Sequence, residues 1–197
     1  RQYDGYRFTP EKGFTPMFNP FSVLNALAKS RFGDYWFASG TPTFLVEILK
    51  KTNFDLRELD GIEVSSASLS DDRANISNPV PMIYQSGYLT IKSFDQRFRT
   101  YTLGFPNEEG KYGFLNFVAP FYTPVASTDT TFYIGKFVHE LETGETEAFL
   151  TRLSCFFADF PYELSDATER HYQVVFYLVF KLMGQFTDAE VRSARGR

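Results

Sequence analysis

Residues 78–106 read NPVPMIYQSGYLTIKSFDQRFRTYTLGFP, and this stretch decides the fold. Asn78 and Pro79 place a capping side chain before a proline that suits the first helical turn, and Gly87 can adopt the positive φ that ends a helix. Beyond the glycine, residues 88–92 and 99–103 alternate apolar and polar side chains. The stretch therefore predicts a short helix followed by a β-hairpin, the order found in a winged helix.

The same start signal, a capping residue followed by proline, precedes two earlier helices. The spacing of apolar residues predicts these helices at 20–30 and 42–51, with Gly33 ending the first. A short strand is predicted at 61–65. The apolar residues that share one face of the first helix are Phe21, Leu24, Leu27 and Ala28.

The second part of the chain is predicted to be helical as well. Residues 124–131, which carry a proline and many hydroxyl groups, are predicted to link a region at 1–123 to a region at 132–197. Residues 187–197 are predicted to form the first strand of a truncated sheet. The fold class is thus α+β, mainly helical, with one hairpin in a winged-helix-like region. The later helices are predicted at 108–121, 132–142, 145–157 and 166–184.

Composition excludes several classes of protein. The hydrophobic fraction of 43% and the charged fraction of 22% are those of a folded globular chain rather than a disordered one. The net charge of −4 argues against a surface that binds nucleic acid throughout, although a local basic face is compatible with it. The single cysteine, Cys155, cannot form an internal disulfide and fits a reduced, cytoplasmic setting.

Two groups of basic residues are candidates for contact with nucleic acid. One surrounds the predicted hairpin, where cations could touch DNA or could simply keep an edge strand soluble. The other lies on the predicted terminal strand, where arginines could face phosphates or could occupy an exposed edge. The candidate residues are Lys92, Arg97, Arg99, Arg192, Arg195 and Arg197.

Motifs that would carry catalysis are missing from the sequence. It contains no phosphate-binding glycine loop, no Cys/His cluster with metal-ligand spacing and no nucleophile elbow. The acidic side chains at 140–147 flank a predicted turn between two helices, and a solvated face explains them better than a metal site.

Five short motifs in a fixed order resemble a bacterial family of AAA-ATPase-like proteins that carry a C-terminal PD-(D/E)xK nuclease-like domain. The resemblance extends over essentially the whole chain. The motifs are YDGYRF at 3–8, NPFSVL at 19–24, YWFASGTP at 35–42, YQSGYLTI at 84–91 and LGFPN at 103–107.

The resemblance implies a place in a longer protein. Residues 1–123 would follow a P-loop ATPase domain, and residues 132–197 would open the nuclease-like domain, ending before its metal-binding carboxylate. The parent protein would use ATP and a divalent metal such as Mg²⁺, neither of which this chain would hold. Glu169 is the one residue that could join such a metal site, and a helix-capping carboxylate is the alternative.

The expected function follows from that resemblance. The chain would be a non-catalytic regulatory region near nucleic acid, with the ATPase domain and the rest of the nuclease-like domain as partners, DNA as the candidate ligand and no membrane contact. The alternative is a module for protein–protein interaction or oligomerisation that does not bind nucleic acid.

Overall fold

In a computed structural model, the fold is α+β and mainly helical. The chain divides into two compact units, Arg1–Phe114 and Leu115–Arg197. The structure describes residues 3–9, 15–33, 35–36, 43–52, 54–69, 78–123, 127–158 and 169–187.

The predicted helices and strands that lie within the described residues occur in the predicted order, and a four-residue helix, Ser66–Leu69, follows the first strand in addition. Among the described residues, no helix is both long enough and apolar enough to cross a membrane. The elements are α1 (Pro20–Lys29), α2 (Thr43–Lys51), β1 (Ile62–Ser65), α3 (Ser66–Leu69), α4 (Val80–Gln85), β2 (Thr90–Asp95), β3 (Thr100–Gly104), α5 (Glu108–Tyr122), α6 (Ser127–Glu142), α7 (Thr146–Ala158) and α8 (Glu169–Thr187).

The predicted hairpin is confirmed, and it belongs to a three-stranded antiparallel sheet in the order β1-β3-β2. Helix α4 precedes it and ends at Gln85, and Gly87, two residues further on, adopts a φ of 79°. Strand β2 continues three residues beyond the predicted end at Lys92. The Phe94 and Tyr101 rings pair across the strands with centroids 4.6 Å apart, and such cross-strand pairs stabilise a hairpin.

Aromatic side chains form much of the core of the first unit. The Phe114 ring is fully buried, and its centroid lies 5.5 Å from that of Tyr88 and 5.7 Å from that of Phe105. These three rings join α5 to the segments on either side of the hairpin. The aromatic side chains of the first unit are therefore used for packing, and these ring contacts attach α5 to the sheet.

Helix α1 differs from its prediction in two respects. Its last residue is Lys29, one before the predicted end, and the residue that terminates it is Ser30 rather than Gly33, because Ser30 takes a left-handed conformation (φ 49°) and its N–H bonds the carbonyls of Ala26 and Leu27. The predicted apolar face exists, but it is exposed rather than buried, and Leu24 and Leu27 are 66% and 72% accessible.

In the second unit, α6 begins earlier than predicted, so residues 127–131 of the predicted linker are helical. Asp129 lies in the first turn, where a negative charge complements the helix dipole. The turn between α6 and α7 is as predicted, with Gly144 at a φ of 75°. The two helices pack through the Phe137 and Phe149 rings, whose centroids are 5.7 Å apart.

Helix α8 continues to Thr187, past the glycine at 184 where the sequence predicts its end. A glycine inside a helix costs only about 1 kcal/mol, which buried neighbours can offset. The helix is buried on one side only, since Phe176 and Phe180 are exposed. The terminal strand predicted at 187–197 lies outside the described residues, apart from Thr187, which ends the helix.

Candidate nucleic-acid interface

The turn between β2 and β3 has a defined backbone conformation. The Asp95 side-chain oxygen Oδ1 accepts hydrogen bonds from the N–H groups of Arg97 (2.8 Å) and Phe98 (3.1 Å). Arg99 adopts a φ of 51°, a conformation that is costly for a residue other than glycine. Its carbonyl accepts bonds from the N–H (3.0 Å) and the hydroxyl (2.9 Å) of Ser66. The turn is thereby joined to the first residue of α3.

Three neighbouring side chains at this turn are exposed, and we call them the basic tip: Arg97, Phe98 and Arg99. The Phe98 side chain is 65% accessible, and the Arg97 guanidinium carbon lies 5.0 Å from the centre of its ring. Such a cation–π contact keeps the charge beside the ring without removing either group from water. The basic tip presents two positive charges and one aromatic face on a turn whose backbone is fixed by hydrogen bonds.

Lys92 does not belong to the basic tip. It is the extra residue in the β-bulge between Ile91 and Ser93, toward the opposite end of β2. Its alkyl chain lies against Gly104, where Asp60 also approaches. Partial desolvation lowers the pKa of Lys92, and the Asp60 carboxylate opposes that shift. The structure thus brings together Arg97 and Arg99 and separates them from the third cation of the hairpin.

Glu169 is exposed at the start of α8, and its Oε1 accepts a hydrogen bond of 2.9 Å from Gln173 Nε2. Within the ranges that the structure describes, no group of three or more His, Cys, Asp or Glu side chains could hold a metal ion. A role for Glu169 at a metal site therefore stays a prediction of the family resemblance. The candidate arginines Arg192, Arg195 and Arg197 lie outside the described residues.

The sequence does not indicate one buried polar residue that links distant parts of the first unit. Glu109 is 1% accessible, and its Oε1 accepts hydrogen bonds from Ser22 Oγ (2.9 Å), Tyr35 N (2.8 Å) and Trp36 N (3.1 Å). A charged acceptor strengthens such bonds. The Glu109 carboxylate thereby joins the start of α5 to α1 and to the segment that follows α1. We call Glu109 with these three donors the Glu109 anchor.

The prediction for one acidic residue is wrong. Glu140 was expected on a solvated face, but it is buried, and its Oε1 lies 2.6 Å from Nε of Arg152. The pairing of α6 with α7 brings these two residues together across the helical hairpin. A buried carboxylate with a cationic partner is a structural feature, which excludes the solvated-face interpretation for this member of the acidic run.

Comparison with known proteins finds similarity to a protein of Azotobacter chroococcum mcd 1 described as "uncharacterized protein in vnfD 5′ region". The two sequences are 29% identical over 203 residues, which cover 99% of this chain and 38% of that relative. The chain thus spans well under half of the relative's length. No family model matches the chain, and no solved structure matches it significantly.

Proposed function

We propose that this chain is a non-catalytic regulatory module that contacts nucleic acid through the basic tip. The observation that carries the proposal is the exposure of Phe98 between two exposed arginines on a turn whose backbone is held by Asp95 and Ser66. Guanidinium groups bind phosphate oxygens in a bidentate manner, and an exposed ring can stack on a base.

The net charge supports a contact of limited size. At −4, the chain as a whole repels a polyanion, so the favourable contribution must come from a local group of cations. Two arginines can neutralise about two phosphates, which gives weak binding by itself. Such a module would modulate a stronger site elsewhere in the protein rather than act as the main nucleic-acid clamp.

The proposed setting is a longer cytoplasmic protein that resembles the AAA-ATPase-like family with a nuclease-like domain. Its ATPase domain and the rest of its nuclease-like domain would be the partners of this chain, with DNA as the nucleic acid. ATP and a divalent metal such as Mg²⁺ would bind to those other parts. The ordered motifs quoted above support this setting, and the greater length of the Azotobacter relative is compatible with it.

The proposal is tested by measuring DNA affinity by fluorescence anisotropy over a salt series. The test variant combines Arg97→Gln with Arg99→Asn, since asparagine tolerates the positive φ at position 99. We expect weak binding by the unchanged chain and a salt slope that falls in magnitude by about 1–2 in the variant. Arg31→Gln, an exposed arginine after α1, is the control and should leave the slope unchanged.

Two results would contradict the proposal. One is the absence of any binding at low salt, and the other is a salt slope that is the same for the tip variant and the unchanged chain. Absent binding together with a defined oligomer would favour the alternative function, an interaction module without nucleic-acid contact.

A further inference from the structure

Helix α1 presents its apolar face to solvent along its whole length. We call this face the α1 stripe: Phe21, Leu24, Leu27 and Ala28, all of which are exposed. Two further exposed phenylalanines, Phe18 and Phe32, lie just before and just after the helix. Single exposed apolar residues are normal on a protein surface. A contiguous patch of exposed apolar residues is uncommon and marks a binding surface.

The opposite side of α1 explains how the helix is held without its apolar face. Ser22 is fully buried and donates its hydroxyl hydrogen bond to Glu109, while the buried Asn19 side chain accepts bonds from the N–H groups of Phe21 and Ser22. The Asn19 N–H also bonds the carbonyl of Tyr3 (2.8 Å). Polar contacts therefore fix α1 in the first unit, and they leave the α1 stripe available for contact with another molecule.

The exposed area is of the size that an interface needs. The five large residues (Phe18, Phe21, Leu24, Leu27 and Phe32) are between 42% and 72% accessible. Together they offer on the order of 600 Å² of apolar surface. A standard protein–protein interface removes roughly 800 Å² from each partner, so the stripe approaches that value only together with Phe18, Phe32 and its polar border.

We infer that a second copy of this chain covers the α1 stripe, with the two helices antiparallel about a two-fold axis. The charges of α1 and its C-terminal flank favour that orientation. The only charged residues at 20–33 are Lys29 and Arg31, both at the C-terminal end. Antiparallel pairing separates the two sets of cations by about 15 Å, the length of ten helical residues, whereas parallel pairing would bring them together.

The antiparallel arrangement also satisfies the symmetry of a closed dimer. In a two-fold interface the same surface meets itself, so one self-complementary stripe is sufficient. The midpoint of the helix falls between Leu24 and Asn25, which places Leu24 next to the axis. This inference rests on α1 and the residues that flank it, and it does not depend on the basic tip or on nucleic-acid binding.

Sedimentation velocity of the full 197-residue chain over a wide concentration series tests the inference. We expect a monomer–dimer equilibrium for the unchanged chain and a monomer at all concentrations for Leu24→Glu. The matched control is Leu150→Glu in α7, which makes the same change at a leucine that is also exposed (54%) and should leave the dimer intact. Circular dichroism of each variant shows whether it retains its fold.

Three outcomes would overturn the inference: a monomer at every concentration, which would mean that another occupant covers the stripe; a dimer that survives Leu24→Glu; or a dimer lost only in Leu150→Glu.

A second measurement remains informative if Leu24→Glu fails to fold. In a Cys155→Ser background, Leu24→Cys should form an intermolecular disulfide under a mild oxidant faster than Leu27→Cys, which lies farther from the axis. Equal rates would contradict the antiparallel arrangement.

Discussion

In α2, the leucines at 45 and 49 are fully buried, whereas in α1 Leu24 and Leu27 are among the most exposed apolar residues of the chain. Both helices carry apolar residues at helical spacing, and both lie in the first unit. Helix α2 is held by its buried apolar side chains, Leu45, Val46 and Leu49. Helix α1 is held by buried polar groups, with its apolar side outward.

The difference shows what an amphipathic pattern does and does not specify. The pattern predicts that one face of a helix is buried, but the surface that buries it can be the core of the same unit or another molecule. In α1 the Glu109 anchor supplies the fixing contacts, so the apolar face is free for a second surface. The predictions below test this contrast, from the largest expected effect to the smallest.

The same substitution should have very different effects in the two helices. Leu49→Ala removes a fully buried side chain and should lower the free energy of unfolding by about 3–4 kcal/mol. Leu24→Ala should change it by less than about 0.5 kcal/mol, because the leucine is exposed and alanine favours helix. Urea denaturation at a protein concentration low enough to keep the chain monomeric measures both. Similar losses in the two variants would show that the α1 stripe is part of the core.

Removing the Glu109 carboxylate should release α1. Glu109→Ala leaves the Ser22 hydroxyl and the N–H groups of Tyr35 and Trp36 without their charged acceptor, and should cost about 2–3 kcal/mol. The adjacent Glu108 is exposed in the same helical turn, so Glu108→Ala is the matched control and should cost well under 1 kcal/mol. Urea denaturation compares the two, and equal losses would show that the carboxylate is not an anchor.

The N-terminal cap of α1 should make a smaller contribution. Asn19→Ala removes the acceptor for the N–H groups of Phe21 and Ser22, and should cost about 1 kcal/mol in thermal or urea denaturation. Asn25→Ala, inside the same helix, should be neutral or slightly stabilising, since alanine has the higher helix propensity. A stabilising effect of Asn19→Ala would mean that polar contacts do not fix the helix.

The polar side of α1 should also give a small dependence on pH. Burial raises the pKa of Tyr6, a hydrogen bond from Asn19 lowers it, and the Glu109 charge raises it, with a net upward shift. The stability that neutral Tyr6 contributes is therefore complete below pH 10 and declines as the pH rises through the folded-state pKa. Tyr6→Phe cannot ionise, so its free energy of unfolding should fall less between neutral and strongly alkaline pH. An identical decline in both proteins would assign the alkaline sensitivity to other tyrosines.

The hairpin was predictable because its signals are local. Residues 88–92 and 99–103 alternate, and Gly87 can take the positive φ that joins α4 to the strand. The Asn19 cap was predictable for the same reason, since the side chain bonds the N–H groups of the next turn. The extension of β2 was missed because the bulge at Lys92 breaks the alternation.

The Glu109 anchor was not predictable because it joins distant residues. Ser22 and Glu109 are separated by 87 positions, and the sequence places Glu108 and Glu109 side by side with no difference in type. One is exposed and the other is buried, a distinction that depends on how α5 packs. At the candidate interface, the sequence indicated Arg97 and Arg99, but only the fold separates them from Lys92.

Hydrogen–deuterium exchange of α1 and α2, measured at one protein concentration and at about a hundredfold higher one, tests the contrast most directly. If the α1 stripe pairs with a second copy, the amides of α1 should exchange more slowly at the higher concentration. The amides of α2, whose leucines lie in the core, should exchange at the same rate at both. Equal exchange of α1 at the two concentrations would contradict the assignment of its apolar face to self-association.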